Sequence, residues 1–170
     1  GGWLYSWDSG VTAFTPQDYG INYPQIGSPA WSPDGSKIAW GLMDNELNSA
    51  IGVFDSDKKT AKVLHPFKQK MATDMGTPPP STLWSADGKW LFSSIRAQGD
   101  DGQYDNVLSG DWIFSIEGNE KYKVDGDFIS LSPDSNWVLY INREKDVNIL
   151  ELQVARFDGS EATKLGEVDD

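Results

Sequence analysis

The side chains that could do chemistry in this sequence lie in three polar stretches between apolar segments. Ammonium and guanidinium groups bind carboxylates, and clustered carboxylates are the oxygen ligands that calcium prefers. The candidate binding residues are His65, Lys68, Lys70, Arg96, Asp100, Asp101, Asp105 and Arg143. The stretch 97–110 lacks the spacing of a calcium-binding loop. A solvated turn is therefore the simpler interpretation there, and we expect neither a metal nor a cofactor.

Each basic candidate has a structural alternative. The lysines of the stretch 65–82 are unusual in an acidic chain and could hold an acidic partner, or they could be solvated side chains on an ordinary connection. Arg96 and Arg143 fall at the same place in two successive repeats, where a guanidinium group could bind a carboxylate in bidentate fashion. They could equally pair with acidic neighbours such as Glu144 or Asp105.

No catalytic motif is present in the sequence. It contains one histidine and no cysteine. The G-x-S-x-G nucleophile elbow, the H-E-x-x-H zinc motif and the phosphate-binding loop are absent too. Paired-carboxylate glycosidase chemistry is open as an alternative because acids are abundant, but nothing singles out a pair. We therefore expect no catalytic constellation within this chain.

Composition limits the class of protein. A chain of 170 residues is long enough for one domain with a hydrophobic core. Its formal net charge of −12 disfavours binding to nucleic acids and anionic lipids. No apolar run is long enough for a membrane-spanning helix, so we expect no membrane insertion. Eight Trp, seven Phe and six Tyr favour half-buried β-strands.

One motif occurs three times along the chain. The sequence Trp-Ser-Pro-Asp-Gly at 31–35 leads into an apolar strand, and the pattern returns at Trp84 and Leu131. Asp-Gly or Asp-Ser between two apolar segments predicts a tight turn between antiparallel strands. A second pair of strands follows each copy, so the unit is a four-stranded sheet with strands a to d. We expect Trp31, in strand a, to be a core residue.

These sheets predict an all-β propeller. A four-stranded sheet cannot bury both faces by itself, and radial stacking against similar sheets solves this problem. We predict one partial propeller domain over residues 1–170 with about three and a half blades. A c–d half blade at 1–26 precedes blades at 27–68, 80–126 and 127–168.

The repeats resemble the PD-type propeller repeat of the TolB-like family, which is also seen in propeller domains of prolyl-oligopeptidase-like enzymes. The Trp-Ser-Pro-Asp-Gly motif carries the resemblance, with Ala86 replacing proline in the second copy and Ser135 replacing glycine in the third. The resemblance implies a non-enzymatic scaffold for protein or ligand binding, located in the periplasm or secreted. The alternative is part of the propeller domain of a serine peptidase whose catalytic domain lies outside this chain.

Three and a half blades cannot close a ring, and open faces and edges aggregate. We expect the remaining blades to come from the rest of a longer parent chain or, alternatively, from another subunit. Short turns join strands a to b and c to d on one side of each blade, which we name the short-turn face. Long segments such as 43–50, 65–82 and 97–110 lie on the other side, the long-loop face. We expect a protein partner or small ligand to bind there.

Overall fold

The architecture is known from a computed structural model that describes residues 2–6, 10–14, 16–46, 48–70, 79–95, 107, 109–143 and 149–169. Its strands are β1 (Gly2–Ser6), β2 (Gly10–Phe14), β3 (Gln25–Ile26), β4 (Ala30–Trp31), β5 (Lys37–Met43), β6 (Asn48–Asp55), β7 (Thr60–Lys70), β8 (Thr82–Trp84), β9 (Trp90–Ile95), β10 (Gly110–Ser115), β11 (Lys121–Lys123), β12 (Asp127–Leu131), β13 (Trp137–Arg143), β14 (Ile149–Arg156) and β15 (Thr163–Asp169). One 3-10 helix spans Pro16–Tyr19. Within these ranges no helix is long and apolar enough to cross a membrane.

The strands form a row of antiparallel sheets in chain order. β1 and β2 make a two-stranded sheet. In blade one, β3 and β4 share the inner position beside β5, followed by β6 and β7. Blade two is β8 to β11 and blade three is β12 to β15, each a simple meander. The predicted all-β propeller architecture is confirmed, with a two-stranded sheet ahead of three full blades.

The repeated motif builds the turn between strands a and b. In blade one, Asp34 Oδ1 accepts hydrogen bonds from the Ser32 hydroxyl at 2.6 Å and the Ser36 N–H at 3.0 Å. The Ser32 hydroxyl oxygen in turn accepts from the N–H of Lys37 at 2.9 Å. Gly35 completes the turn at φ 72°, in the left-handed region that glycine adopts without strain. The corresponding pairs are Ser85 with Asp87 and Ser132 with Asp134. The repeated aspartates are therefore structural turn residues.

These turn bonds make stability depend on pH. The Ser32 hydroxyl, followed by the N–H and hydroxyl of Ser36, lowers the pKa of Asp34 from 3.8 to about 2. A carboxyl group whose pKa is lower in the folded state stabilises the fold above its unfolded pKa, and this contribution is lost as pH falls through the folded pKa. We expect Asp34→Asn to lower the urea midpoint at pH 6 and to have a smaller effect near pH 2. Asp57→Asn removes the same charge from a nearby exposed turn as a control. A pH-independent difference between wild type and Asp34→Asn would contradict the prediction.

Two apolar clusters join the three blades. The cluster between blades one and two contains Ala39, Ile51, Val53, Leu64, Leu91, Ile95 and Phe114. The cluster between blades two and three contains Phe92, Ile113, Val124, Val138, Tyr140, Ala155 and Phe157. Leu91 and Phe92 are consecutive in β9 and enter different clusters, because successive side chains of a strand point to opposite faces. Both faces of blade two are therefore buried, as stacked blades require.

The chain enters blade two by crossing closely over blade one. Pro80 is buried, and its carbonyl oxygen would lie 1.9 Å from a Cβ at Gly41 and 2.8 Å from a Cβ at Gly27. The N–H of Gly27 also donates to the carbonyl of Gly41 at 2.8 Å. Glycine at 41 thus lets the backbones of the two blades approach each other at the start of β8.

The expectation that Trp31 is a core residue is wrong, since 55% of its surface is exposed. The equivalent Trp84 packs on the cluster between blades one and two, and its indole N–H donates to the Ala30 carbonyl at 2.8 Å. Leu131 likewise packs on the cluster between blades two and three. In blades two and three, strand a therefore directs this side chain onto the preceding blade. Ahead of blade one the described residues supply β1, β2 and the 3-10 helix, with no inner strands of a preceding blade.

The far face of blade three is also less covered. Six consecutive residues of β6, from Ser49 to Phe54, are buried. In β14, which holds the same third position in its blade, only Ala155 is buried. β14 of blade three is thus only half-buried along most of its length, whereas β6 of blade one is covered on both sides.

Candidate functional site

The long-loop face is formed where strands b end and strands c begin. Arg143 lies at the end of β13 on this face and is exposed. Its Nε donates to Asp127 Oδ2 at 2.9 Å, across the neighbouring strand β12. Both side chains are more than half exposed, so the ion pair is screened by water and contributes little to stability. The alternative partners Glu144 and Asp105 lie outside the described residues.

The basic candidates before blade two lie in a strand. β7 continues through His65, Lys68 and Lys70, so these residues belong to strand d of blade one and not to a connection from 65 to 82. Their side chains are outside the described part of the structure. The backbone of Lys70 pairs with Asn48 at the start of β6, which places this end of β7 at the long-loop face.

The remaining candidates, Arg96, Asp100, Asp101 and Asp105, lie outside the described residues. Of the eight predicted binding residues, only Arg143 therefore has a described side chain, and it pairs with Asp127. A convergence of the candidates at the long-loop face stays a prediction.

Blade one has a compact corner on the long-loop face. β5 ends at Met43 and β6 begins at Asn48, so the connection is shorter than the one predicted over 43–50. Asp44 closes it by accepting from the N–H groups of Glu46 and Asn48 and from the Asn48 side chain, each at 2.8 Å. Burial opposes ionisation of Asp44, but these hydrogen bonds lower its pKa. Burial and the Asp44 charge raise the pKa of Tyr23 nearby. The Asp44 carboxylate therefore makes its hydrogen bonds within this connection.

The structure contains a cleft that the sequence interpretation missed. It lies on the short-turn face between blades one and two, and Lys37, Lys58 and Lys62 line it. The sequence signal was available in the repeat alignment, because lysine at 37 stands where blades two and three have tryptophan at 90 and 137.

The described residues offer binding groups more than reactive ones. Among them, no group of three or more histidine, aspartate or glutamate side chains could hold a metal ion. The polar groups described above make hydrogen bonds within turns or ion pairs at the surface.

Comparison with solved structures identifies the architecture. Pyrococcus horikoshii acylaminoacyl peptidase superposes on 98% of this chain with a TM-score of 0.63 at 17% identity, and the match covers 28% of that chain. The β-propeller domain of the Trilobed protease from Pyrococcus furiosus matches 87% of this chain at 14% identity, with a TM-score of 0.54 and 43% of that chain covered. A eukaryotic initiation factor matches 85% at 12% identity, with a TM-score of 0.50 and 32% of that chain covered.

These similarities show the fold and not an activity. The identities are low, and the matches include two peptidases and an initiation factor. The chain spans less than half the length of each of these proteins. No protein-family model and no curated protein matches the sequence. The β-propeller prediction is confirmed, and membership of the TolB-like family stays a prediction.

Proposed function

We propose that this chain is a non-enzymatic part of a larger β-propeller that serves as a scaffold for binding a protein or small ligand. The observation that carries the proposal is the incomplete cover of Trp31 in blade one and of β14 in blade three. Trp31 is exposed where its equivalents pack on a preceding blade, and β14 is less buried than β6. Further blades, from the parent chain or another subunit, would cover this surface.

A second candidate is part of the propeller domain of a prolyl-oligopeptidase-like serine peptidase. The match of nearly the whole chain to an acylaminoacyl peptidase, at a TM-score of 0.63, favours it. Catalysis would then belong to a domain outside these residues, since the sequence has no nucleophile elbow. A periplasmic or secreted location depends on the TolB resemblance alone and belongs to the first candidate.

The parent gene and its product distinguish the candidates. We expect the reading frame beyond residue 170 to lack a G-x-S-x-G segment, and the purified parent protein to resist labelling by a fluorophosphonate, which reacts with activated serines. Labelling that disappears when the serine of such a segment is changed to alanine would overturn the scaffold proposal and support the peptidase candidate. A signal peptide in the parent gene would support the envelope location.

A further inference from the structure

The cleft on the short-turn face, named here the lysine cleft, has a volume of about 270 Å³. Blade one supplies Lys37, Lys58 and Lys62, and the turn after β10 supplies Ile116 and Glu117. Asp55 also lines the cleft, and the three lysines with Asp55 and Glu117 carry one net positive charge in a chain whose formal net charge is −12. The cleft is therefore locally positive, whereas the protein as a whole is strongly acidic.

Each lysine has hydrogen-bonding capacity to spare. Lys58 Nζ lies 3.0 Å from Asp55 Oδ2, and Lys37 Nζ donates to the hydroxyl of Ser36 at 3.0 Å. Lys62 Nζ donates to the carbonyl of Ile116 across the junction of the blades. An ammonium group has three N–H donors, so these bonds leave donors on all three lysines for a bound anion.

The fold itself does not require lysines at this place. Lys37 in blade one and Trp90 in blade two occupy equivalent positions. Lys37 pairs with Asp55 at the end of strand c, and Trp90 pairs with Ser115 at the end of the next strand c. The same pairing equates Lys62 with Tyr122, opposite Val53 and Ile113 respectively.

The junction between blades two and three is closed at this place by aromatic rings. The ring centroid of Trp90 lies 5.8 Å from that of Tyr122 and 6.0 Å from that of Phe157. Phe157 follows strand c of blade three as Ile116 follows strand c of blade two. Lys37, Lys62 and Ile116 therefore leave a charged cleft between blades one and two. Aromatic side chains fill the corresponding space between blades two and three.

We infer that the lysine cleft binds the carboxylate group of a small aliphatic ligand. A single net positive charge suits a monoanion, and Asp55 and Glu117 would repel a more highly charged phosphate. Val53, Ala61 and Ile116 supply apolar wall for an aliphatic chain attached to the carboxylate. The carboxylate can belong to a free short-chain acid or to the C-terminus of a peptide, which present the same chemistry.

Saturation-transfer NMR with butanoate tests this inference on the whole chain. We expect transfer to butanoate but not to butanamide, its neutral analogue. The double variant Lys37→Gln/Lys62→Gln should weaken butanoate binding by about tenfold or abolish it. The control variant Lys123→Gln/Lys164→Gln removes the same charge from the outer strands of blades two and three and should bind butanoate as the wild type does. Circular dichroism confirms that each variant is folded.

Several outcomes would overturn the inference. These are the absence of transfer to butanoate, equal transfer to butanamide, equal losses in the two double variants, or displacement of butanoate by phosphate at lower concentration than by acetate. Competition of butanoate with N-acetylvaline, which resembles a peptide C-terminus, and with the amide of N-acetylvaline distinguishes the two sources of the carboxylate. Displacement by the acid alone would indicate a peptide C-terminus, and displacement by neither would indicate a free short-chain acid.

Discussion

Gly41→Ala is expected to destabilise the chain by about 3 kcal/mol, because the added methyl group has no space between blades one and two. The Cβ would lie 1.9 Å from the carbonyl oxygen of Pro80 and 2.7 Å from its backbone carbon and nitrogen. These are backbone atoms, so no side-chain rotation can relieve the clash. The blades must separate at the start of β8, which also disturbs the cluster around Leu91 and Phe114. Urea denaturation followed by tryptophan fluorescence measures the loss.

Gly166→Ala is the matched control for Gly41→Ala. Gly166 also lies in a strand, β15, but a Cβ there would meet nothing within 4 Å. Its substitution is expected to change the free energy of unfolding by less than about 0.5 kcal/mol. Equal effects of the two substitutions would show that the close crossing of Pro80 over Gly41 does not matter for stability.

The parts of the fold that the sequence predicted are those set by local bonds. The turn of each motif is closed within a few residues by Ser32 and Asp34 or their equivalents, so the chemistry of the turn is visible in the sequence. The alternation of apolar residues around each turn then identifies strands a and b. Repetition of this unit leaves stacked blades as the way to bury both faces of each sheet.

The end of β7 could not be predicted in this way. Pro66 interrupts the apolar pattern after Leu64, and proline usually ends a central strand because it has no N–H for the ladder. β7 is the outer strand of blade one and tolerates the missing donor, with register shifts beside Ser49. Whether a strand is at an edge depends on the sheet around it and not on its own residues.

The environment of Trp31 and the lysine cleft depend on neighbouring blades. Trp31 has nearly the same local sequence as the half-buried Trp84, and its exposure follows from what lies ahead of blade one. Lys62 and Ile116 are far apart in sequence and meet only because the turn of blade two reaches the outer strand of blade one. Patterns within one blade carry no information on such contacts.

Phe114→Ala should destabilise the chain by about 3–5 kcal/mol, the cost of removing a large side chain from a packed core. Phe114 is fully buried in the cluster between blades one and two, where the truncation leaves a cavity among the packed side chains. Equilibrium urea unfolding measures the effect. Trp31→Ala removes a larger side chain, but its exposure predicts a loss below about 1 kcal/mol in the isolated chain.

The comparison of Phe114→Ala with Trp31→Ala tests whether a further blade packs ahead of blade one in the parent protein, as well as the packing of the core. If further blades cover Trp31 in the parent protein, Trp31→Ala should destabilise the parent more than it destabilises this chain, by about 2 kcal/mol or more. The effect of Phe114→Ala should be similar in both, because blades one and two already enclose it. A small effect of Trp31→Ala in the parent would mean that no blade packs ahead of β4. A small effect of Phe114→Ala in the chain would mean that its blades do not stack as described.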